Sequence, residues 1–102
     1  MLLADELEAE PIYVINNGIS HQESVAPSKI LPFLIETLDA LEFITGPETS
    51  EWGAVRASMG RKEPWKLDYL AIGNEVSHAS NIINCCLLEE ASYLALPSYV
   101  IL

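Results

Sequence analysis

The fold is decided by residues 64–75, which read Pro-Trp-Lys-Leu-Asp-Tyr-Leu-Ala-Ile-Gly-Asn-Glu. Within them lies an apolar run, residues 67–72, that only Asp68 interrupts and that a glycine ends. A short apolar run closed by glycine is typical of a buried strand in a parallel sheet. In α/β folds, ligands and catalytic groups lie at the carboxyl ends of such strands. The stretch therefore predicts an α/β fold with Asn74 and Glu75 at its functional edge.

An Asn-Glu pair at the end of a strand is open to two interpretations. Glu75 is a candidate proton donor for carbohydrate chemistry, and Asn74 is a candidate ligand of a sugar hydroxyl. The same Gly-Asn-Glu triplet also occurs in turns and helix starts, where Asn caps the helix and the helix dipole stabilises Glu. On the triplet alone the turn or cap is the commoner outcome, so catalysis needs support from the rest of the chain.

Length and charge narrow the class of protein. The chain has 102 residues, is 50% hydrophobic and carries a net charge of −10, which fits one small domain with a modest core. An acidic chain argues against nucleic acid or an anionic membrane as partner, because both require clustered Lys and Arg. No apolar run is long enough to span a bilayer. Met1 is followed by acidic residues and not by the basic and apolar regions of a signal peptide.

The cysteines and histidines give no indication of a metal site. Cys85 and Cys86 are adjacent, and a disulfide between neighbours is strained. They form no metal-binding spacing with His21 or His78. We expect neither a metal nor another cofactor.

A second strand is indicated by residues 12–15, Ile-Tyr-Val-Ile, which are β-branched or aromatic. Asn16, Asn17 and Gly18 follow, and this combination is first of all a turn signal. The same residues stand at the carboxyl end of a strand, so a binding role, above all for Asn17, is the alternative.

Two helices are predicted between the strands. The first spans residues 28–43 with Ser28 as N-cap, and the second spans residues 51–59 with Ser50 as N-cap. Arg56 lies on the apolar face of the second helix. A buried Arg is usually paired, so we expect a structural ion pair with a carboxylate in preference to a substrate clamp.

A short acidic helix over residues 2–9 precedes the first strand, with Leu2, Leu3 and Leu7 on its predicted inner side. The chain begins with this helix already under way, so we expect that something precedes it. One strand–helix–strand unit cannot cover two parallel strands on both faces. We therefore expect the chain to be a piece of a larger α/β fold.

Four blocks together resemble one known family. They are residues 11–21, residues 30–34 with 41–43, residues 52–60, and residues 67–75. In this order and spacing, over roughly residues 3–75, they strongly resemble plant α-L-arabinofuranosidases of glycoside hydrolase family 51.

The resemblance implies a fold and a reaction. Members of this family have a (β/α)8 TIM barrel followed by a β-sandwich. By the resemblance, this chain would be an incomplete fragment that holds about strands 3 and 4 of the barrel with the helix between them. Family members remove terminal α-L-arabinofuranosyl residues, with retention, from arabinoxylan, arabinan and arabinogalactan of cell walls. In the family, the Glu of the Asn-Glu pair that ends the fourth barrel strand is the general acid/base, and it corresponds to Glu75. The Asn of this pair binds the sugar near its 2-hydroxyl and corresponds to Asn74. Asn17 would lie on the active-site face, with no defined role.

The chemistry of a retaining glycosidase is consistent with this assignment. It requires two carboxyl groups about 5–5.5 Å apart, one of them a nucleophile and the other an acid/base. We expect the pKa of Glu75 to be raised by a nearby anionic nucleophile and by partial desolvation.

The resemblance ends after Glu75, which divides the chain into a partial glycosidase domain, residues 1–75, and a divergent tail, residues 76–102. The family's nucleophile, a Glu of the seventh strand, has no match here, and Glu89 and Glu90 stand in no matching context. We therefore expect the chain alone to be inactive. An extracellular or cell-wall location is expected from the family, although the chain shows no signal peptide.

The alternative is a non-catalytic protein that binds a sugar or a partner through Asn17, Asn74 and Glu75. Such a domain needs its tail to cover the strands. The tail offers only weak helical spacing of apolar residues, at Ile82, Ile83, Cys86, Leu87 and Ala91.

Overall fold

In the computed structural model, the residues described here are 1–20, 23–73, 84, 86–90 and 100–101. The elements, in chain order, are α1 (Leu2–Glu6), β1 (Ile12–Ile15), a 3-10 turn (Pro27–Lys29), α2 (Leu31–Thr45), α3 (Glu51–Ser58), β2 (Tyr69–Ile72) and β3 (Val100–Ile101). Residues 84 and 86–90 are helical. The predicted α/β class is confirmed in this form, a small three-stranded sheet with helices in its connections.

The three strands are parallel and lie in the order β1-β2-β3. β1 matches its predicted bounds, and its register with β2 places Ile12 opposite Tyr69 and Ile15 opposite Ile72. β2 begins later than the apolar run suggested, although Leu67 is buried ahead of it. β3 pairs with the other edge of β2, so the tail contributes a strand to the sheet.

The hydrophobic core lies between one face of the sheet and α2. Side chains of β1, α2, the loop before β2, β2 and the helical tail segment form it: Ile15, Leu41, Ile44, Leu67, Leu70, Ile72 and Leu88. Leu41, Leu70 and Leu88 are fully buried. Truncating a leucine of this kind to alanine typically costs about 2–5 kcal/mol. The core thus fixes the position of both strand ends relative to α2.

The opposite face of the sheet is exposed among the described residues. Ile12 and Val14 of β1 are 55% and 59% exposed, and Tyr69 of β2 is 37% exposed. Parallel sheets are normally covered on both faces. The exposed apolar face is what a piece of a larger α/β fold would show.

The start of α2 differs from the prediction. Ser28 lies in the 3-10 turn, and α2 begins at Leu31, after Ile30, which makes no side-chain capping bond. Pro32 accounts for the later start, because proline is tolerated only in the first turn of an α-helix. At the other end, α2 stops at Thr45, and Gly46 with Pro47 follows.

The N-terminus of α3 is capped as predicted. Ser50 Oγ accepts a hydrogen bond from Gly53 N at 3.2 Å. Glu42 of α2 accepts a second one from Trp52 N at 3.1 Å, so a carboxylate lies at the positive end of the short helix. These two acceptors join α3 to α2 ahead of β2.

Arg56 is buried, but its partners differ from those expected. The guanidinium donates to the backbone carbonyls of Phe43 at 2.7 Å, Lys62 at 2.8 Å and Arg61 at 3.3 Å. No carboxylate takes part in these bonds. Arg56 is structural, as predicted, but it joins the end of α2 to the loop after α3 through carbonyl groups, and the predicted ion pair is wrong.

α1 is shorter and more exposed than predicted. It ends at Glu6, and Leu2, Leu3 and Leu7 are each about two-thirds exposed, so the predicted inner side is not buried. The described contact that holds α1 is Asp5, which accepts from Arg61 Nη1 and from Trp65 Nε1, each at 2.8 Å. Two hydrogen bonds to Asp5, together with Met1 packed against the core at the start of the helix, therefore hold α1.

The loop before β2 also carries a surface ion pair. Lys66 Nζ donates a hydrogen bond to the carboxylate of Asp68. This bond, together with the negative charge of Asp68, raises the pKa of Lys66 above its usual value of 10.5.

Candidate functional site

The candidate site is the carboxyl edge of the sheet, defined here as residues 16–18 after β1 and Gly73 after β2. Ile15 and Ile72 are register partners, and Gly73 N donates to Ile15 O at 2.9 Å. The two strands therefore end at the same level. Gly73, the last described residue after β2, lies against Asn17, so the described ends of both strands meet at this edge, where ligands bind in parallel sheets.

Asn16 has the turn role that its sequence context predicted. Its Oδ1 accepts hydrogen bonds from Gly18 N at 2.9 Å and from Ile19 N at 3.2 Å. Gly18 has φ +79°, a conformation that glycine adopts without strain. Asn16 itself is exposed, and its side-chain oxygen shapes the start of the loop.

Asn17 points into the protein and is only 1% exposed. Its carboxamide lies directly over Gly73. A Cβ atom added to Gly73 would be 2.7 Å from Asn17 Nδ2 and 2.8 Å from Asn17 Cγ. Gly73 also has φ +78°, so glycine is required here both for its backbone conformation and for space. The two neighbouring asparagines thus have different surroundings, because Asn16 faces solvent and Asn17 is packed between the strand ends.

Asn84 joins the same edge from the tail, and the sequence did not single it out. It is fully buried, and its Nδ2 donates to Asn17 O at 3.1 Å and to Val25 O at 3.0 Å. Its Oδ1 is buried and has no hydrogen-bond partner among the residues that the structure describes. The weak helical pattern of the tail had the wrong phase, since Cys86 and Leu87 are exposed whereas Leu88 is in the core. No pattern in the sequence could have identified Asn84, because its two hydrogen-bond partners lie 67 and 59 residues away.

Asn74 and Glu75, the predicted sugar-binding residue and acid/base, lie outside the described residues, as do His21 and His78. Their roles stay predictions. What the described part shows is the residue from which they continue: Gly73, held against β1 by its own amide and packed under Asn17.

The described residues bring no three His, Cys, Asp or Glu side chains together in an arrangement that could hold a metal ion. In the same part of the chain, no helix has both the length and the apolar character needed to cross a bilayer.

A groove of about 490 Å³ lies on the helix side of the sheet, away from the carboxyl edge. It is lined by Met1, Tyr13, Glu36, Asp39, Ala40, Phe43, Ile44 and Trp52. None of the carboxyl-edge residues contributes to it, and its walls are largely apolar. The groove is separate from the candidate site.

Comparison with known proteins identifies the family of this chain. The family model described as "Alpha-L-arabinofuranosidase 1 domain" matches residues 1–83. Alpha-L-arabinofuranosidase 1 of Arabidopsis thaliana is 53% identical over 73 residues, which is 72% of this chain and 11% of the relative. The extracellular exo-alpha-L-arabinofuranosidase of Streptomyces chartreusis is 38% identical over 76 residues, which is 71% of this chain and 9% of that protein.

A solved structure extends the likeness to the fold. An arabinose-bound MgGH51 α-L-arabinofuranosidase superposes with a TM-score of 0.91 and 26% identity, covering 98% of this chain and 17% of that one. The sheet and helices described above thus match part of an arabinofuranosidase structure. The chain spans about a tenth of the length of the curated relatives it matches. From the family model and these relatives together, the chain belongs to the α-L-arabinofuranosidases of glycoside hydrolase family 51.

Proposed function

We propose that this chain is the part of a retaining α-L-arabinofuranosidase that carries the general acid/base, Glu75, and a sugar-binding residue, Asn74. Its strands β1 and β2 would be about the third and fourth strands of a (β/α)8 barrel. The substrates would be terminal α-L-arabinofuranosyl residues of cell-wall arabinoxylan, arabinan and related oligosaccharides, outside the cell.

One observation carries the proposal. Glu75 lies two residues beyond Gly73, just past the carboxyl end of a parallel strand, within the residues that match the arabinofuranosidase family. A turn or helix cap alone would explain the Gly-Asn-Glu triplet, but family membership raises the catalytic interpretation above it. The bound arabinose in the similar solved structure supports the choice of sugar.

The proposed chemistry follows from a pair of carboxyl groups. Glu75, protonated at the start, donates its proton to the glycosidic oxygen as a second carboxylate attacks the anomeric carbon and forms a glycosyl-enzyme bond. Glu75, now ionised, then removes a proton from the water that hydrolyses this bond. Asn74 would hold the sugar near its 2-hydroxyl, and Asn17 would act at the same edge.

The second carboxylate has no match within the chain, so hydrolysis is proposed to require residues beyond these 102. We expect the purified 102-residue chain to release no arabinose from an aryl arabinofuranoside. Loss of the nucleophile in such a coupled pair lowers the rate by orders of magnitude.

A chimera tests the proposal. Residues 3–75 of this chain would replace the corresponding segment of Alpha-L-arabinofuranosidase 1 of Arabidopsis thaliana, which is 53% identical to this chain over 73 residues. We expect the chimera to hydrolyse an arabino-oligosaccharide. Glu75→Ala in the chimera should reduce kcat/KM about 10²–10⁴-fold, the usual contribution of general acid–base catalysis.

The control is Glu63→Ala, because Glu63 is an exposed acidic residue in the loop before β2. It should leave kcat/KM within about twofold, since surface substitutions rarely perturb a site. An active chimera in which the two substitutions have equal effects would contradict the proposed role of Glu75.

The second candidate is a non-catalytic protein that binds a sugar or a partner at the carboxyl edge. It is favoured by the docked tail, because Leu88 is fully buried in the core and β3 pairs with β2. Thermal unfolding and an arabinose titration of the 102-residue chain test it. One cooperative transition together with saturable arabinose binding would favour this candidate, whereas a gradual transition without binding would exclude it.

A further inference from the structure

The buried asparagines at the carboxyl edge form a continuous chain of contacts from the tail to the end of β2. Asn84 donates from Nδ2 to the carbonyl of Asn17 at 3.1 Å. The carboxamide of Asn17 in turn packs over Gly73, with separations of 2.7–3.0 Å to the place of a Cβ. Asn84 lies just beyond the residues that match the family model.

We propose that Asn84 and Asn17 are positioning residues that hold Gly73 in its left-handed conformation and so set the direction in which the chain continues into Asn74 and Glu75. The proposal rests on the proposed function in one respect, namely that Glu75 is the group whose direction matters. Neither asparagine is assigned contact with the sugar or the reacting atoms.

Gly73 is restrained from two sides. Its amide donates to Ile15 O at 2.9 Å, which fixes it to β1. Its Cα faces the Asn17 carboxamide, so rotation about φ from +78° would drive the backbone into that group or release it from β1. A glycine so confined loses the freedom that glycine otherwise gives a chain.

The position of Asn17 depends on Asn84. The carbonyl of Asn17 is buried, and a buried carbonyl needs a donor. Asn84 Nδ2 supplies it and uses its other hydrogen for Val25 O at 3.0 Å, which joins both ends of the loop after β1.

The orientation of the Asn84 amide supports this role. Its Oδ1 is buried and finds no partner in the described part of the chain, which is unfavourable in itself. Turning the amide over would place the oxygen against two carbonyls and lose both donor bonds. The observed orientation therefore favours the two bonds to the loop over satisfaction of Oδ1.

The competing explanation is that Asn84 merely anchors the helical tail segment, as Leu88 does by entering the core. The two explanations differ in what loosening the segment does to Gly73. If Asn84 is only an anchor, then a change at Leu88 should disturb Gly73 as much as a change at Asn84.

Nuclear magnetic resonance of the 102-residue chain separates them. Asn84→Ala and Leu88→Val would be compared, with amide shifts of Gly18 and Gly73 and the carboxyl titration of Glu75 as readouts. We expect Asn84→Ala to shift the signals of Gly18 and Gly73 and to move the Glu75 titration midpoint. Leu88→Val, which removes one methylene group from the core, should lower thermal stability and leave those signals near their wild-type positions.

Asn84→Asp provides a rescue within one folded protein. The new carboxyl group can replace one of the two donor bonds of Asn84, and only when it is protonated. We therefore expect the Gly18 and Gly73 signals of this variant to differ from those of wild type at neutral pH. At low pH they should approach the signals of wild type measured at that low pH.

Two results would overturn the proposal: unchanged Gly73 and Glu75 signals in Asn84→Ala, or equal changes in Leu88→Val. None of these readouts requires hydrolysis. An inactive chimera with the expected resonance changes would thus refute the proposed function alone, and an active chimera without them would refute the positioning role alone.

Discussion

Arg56 should be among the side chains that matter most for the stability of this chain. It is 1% exposed, and its guanidinium donates to three backbone carbonyls. Arg56→Met keeps most of the aliphatic volume and removes every donor. The carbonyls of Phe43, Lys62 and Arg61 then lose their partner at the junction between α2 and the loop after α3.

The magnitude follows from the surroundings of each carbonyl. Phe43 O lies near the end of α2 beside the core, so its lost bond should cost about 1–3 kcal/mol, as for a buried unsatisfied group. Lys62 is exposed and Arg61 is half-exposed, so water can reach their carbonyls, and each lost bond should cost about 0.5–1.5 kcal/mol. We expect Arg56→Met to lower the free energy of unfolding by about 2–6 kcal/mol.

Urea denaturation monitored by circular dichroism measures this loss through the midpoint and slope. A small domain has about 5–15 kcal/mol of stability, so Arg56→Met risks unfolding the chain, and Arg56→Lys serves as the milder variant. Lysine keeps the charge but cannot span three carbonyls, so its loss should be intermediate. Lys62→Met is the control, because the Lys62 side chain is 77% exposed, and it should change stability by less than about 0.5 kcal/mol. A loss below about 1 kcal/mol for Arg56→Met would refute the reasoning, since that is the value of a single ordinary hydrogen bond.

Three further substitutions test local features, each by thermal or urea unfolding. Gly53→Ala should destabilise by about 1–3 kcal/mol despite the better helix propensity of alanine, because the new Cβ would lie 1.9 Å from Pro47 O; a stabilised variant would show that the close approach is absent. Ser50→Ala should cost about 1 kcal/mol through loss of the α3 cap, and a neutral result would mean that water replaces the Oγ acceptor. Asp5→Ala should cost less than about 1 kcal/mol of stability, because the hydrogen bonds of Asp5 are solvent-exposed. It should also shift the fluorescence of Trp65, which donates to Asp5 at 2.8 Å. Unchanged emission would show that this bond does not hold α1.

The sequence was most informative where a local pattern coincides with burial. The β-branched run of β1 gave its bounds correctly, because side-chain preference and packing on the core face agree there. The cap at Ser50 was also correct, since Oγ acts on an amide three residues away.

Prediction failed where distant parts of the chain decide the outcome. Leu2, Leu3 and Leu7 were predicted to be buried, but they are about two-thirds exposed, and Met1, which precedes α1, packs against the core instead. The partner of Arg56 was predicted to be a carboxylate because a charge suggests a counter-charge. Three converging carbonyls, which no side-chain pattern reveals, satisfy it instead.

The candidate site shows the same division. Asn16 and Asn17 are indistinguishable in a sequence, yet one makes a local turn and the other packs over Gly73 from the neighbouring strand. Asn84 could not be connected with either, because 67 residues separate it from Asn17. Only the parallel register of β1 and β2, together with the docked tail, brings these residues to one edge.

We propose that Glu75 donates a proton in the first step of arabinofuranoside hydrolysis and removes one in the second. The most direct test compares the rates at which the Glu75→Gln chimera cleaves two substrates in the first chemical step. An arabino-oligosaccharide has an alkoxide leaving group that needs a proton, whereas 4-nitrophenolate leaves without one. We predict that cleavage of the oligosaccharide falls about 10²–10⁴-fold while the initial burst of 4-nitrophenol from the aryl arabinofuranoside is largely retained. Equal losses for both substrates, or no loss for either, would contradict the assignment of Glu75 as the acid/base.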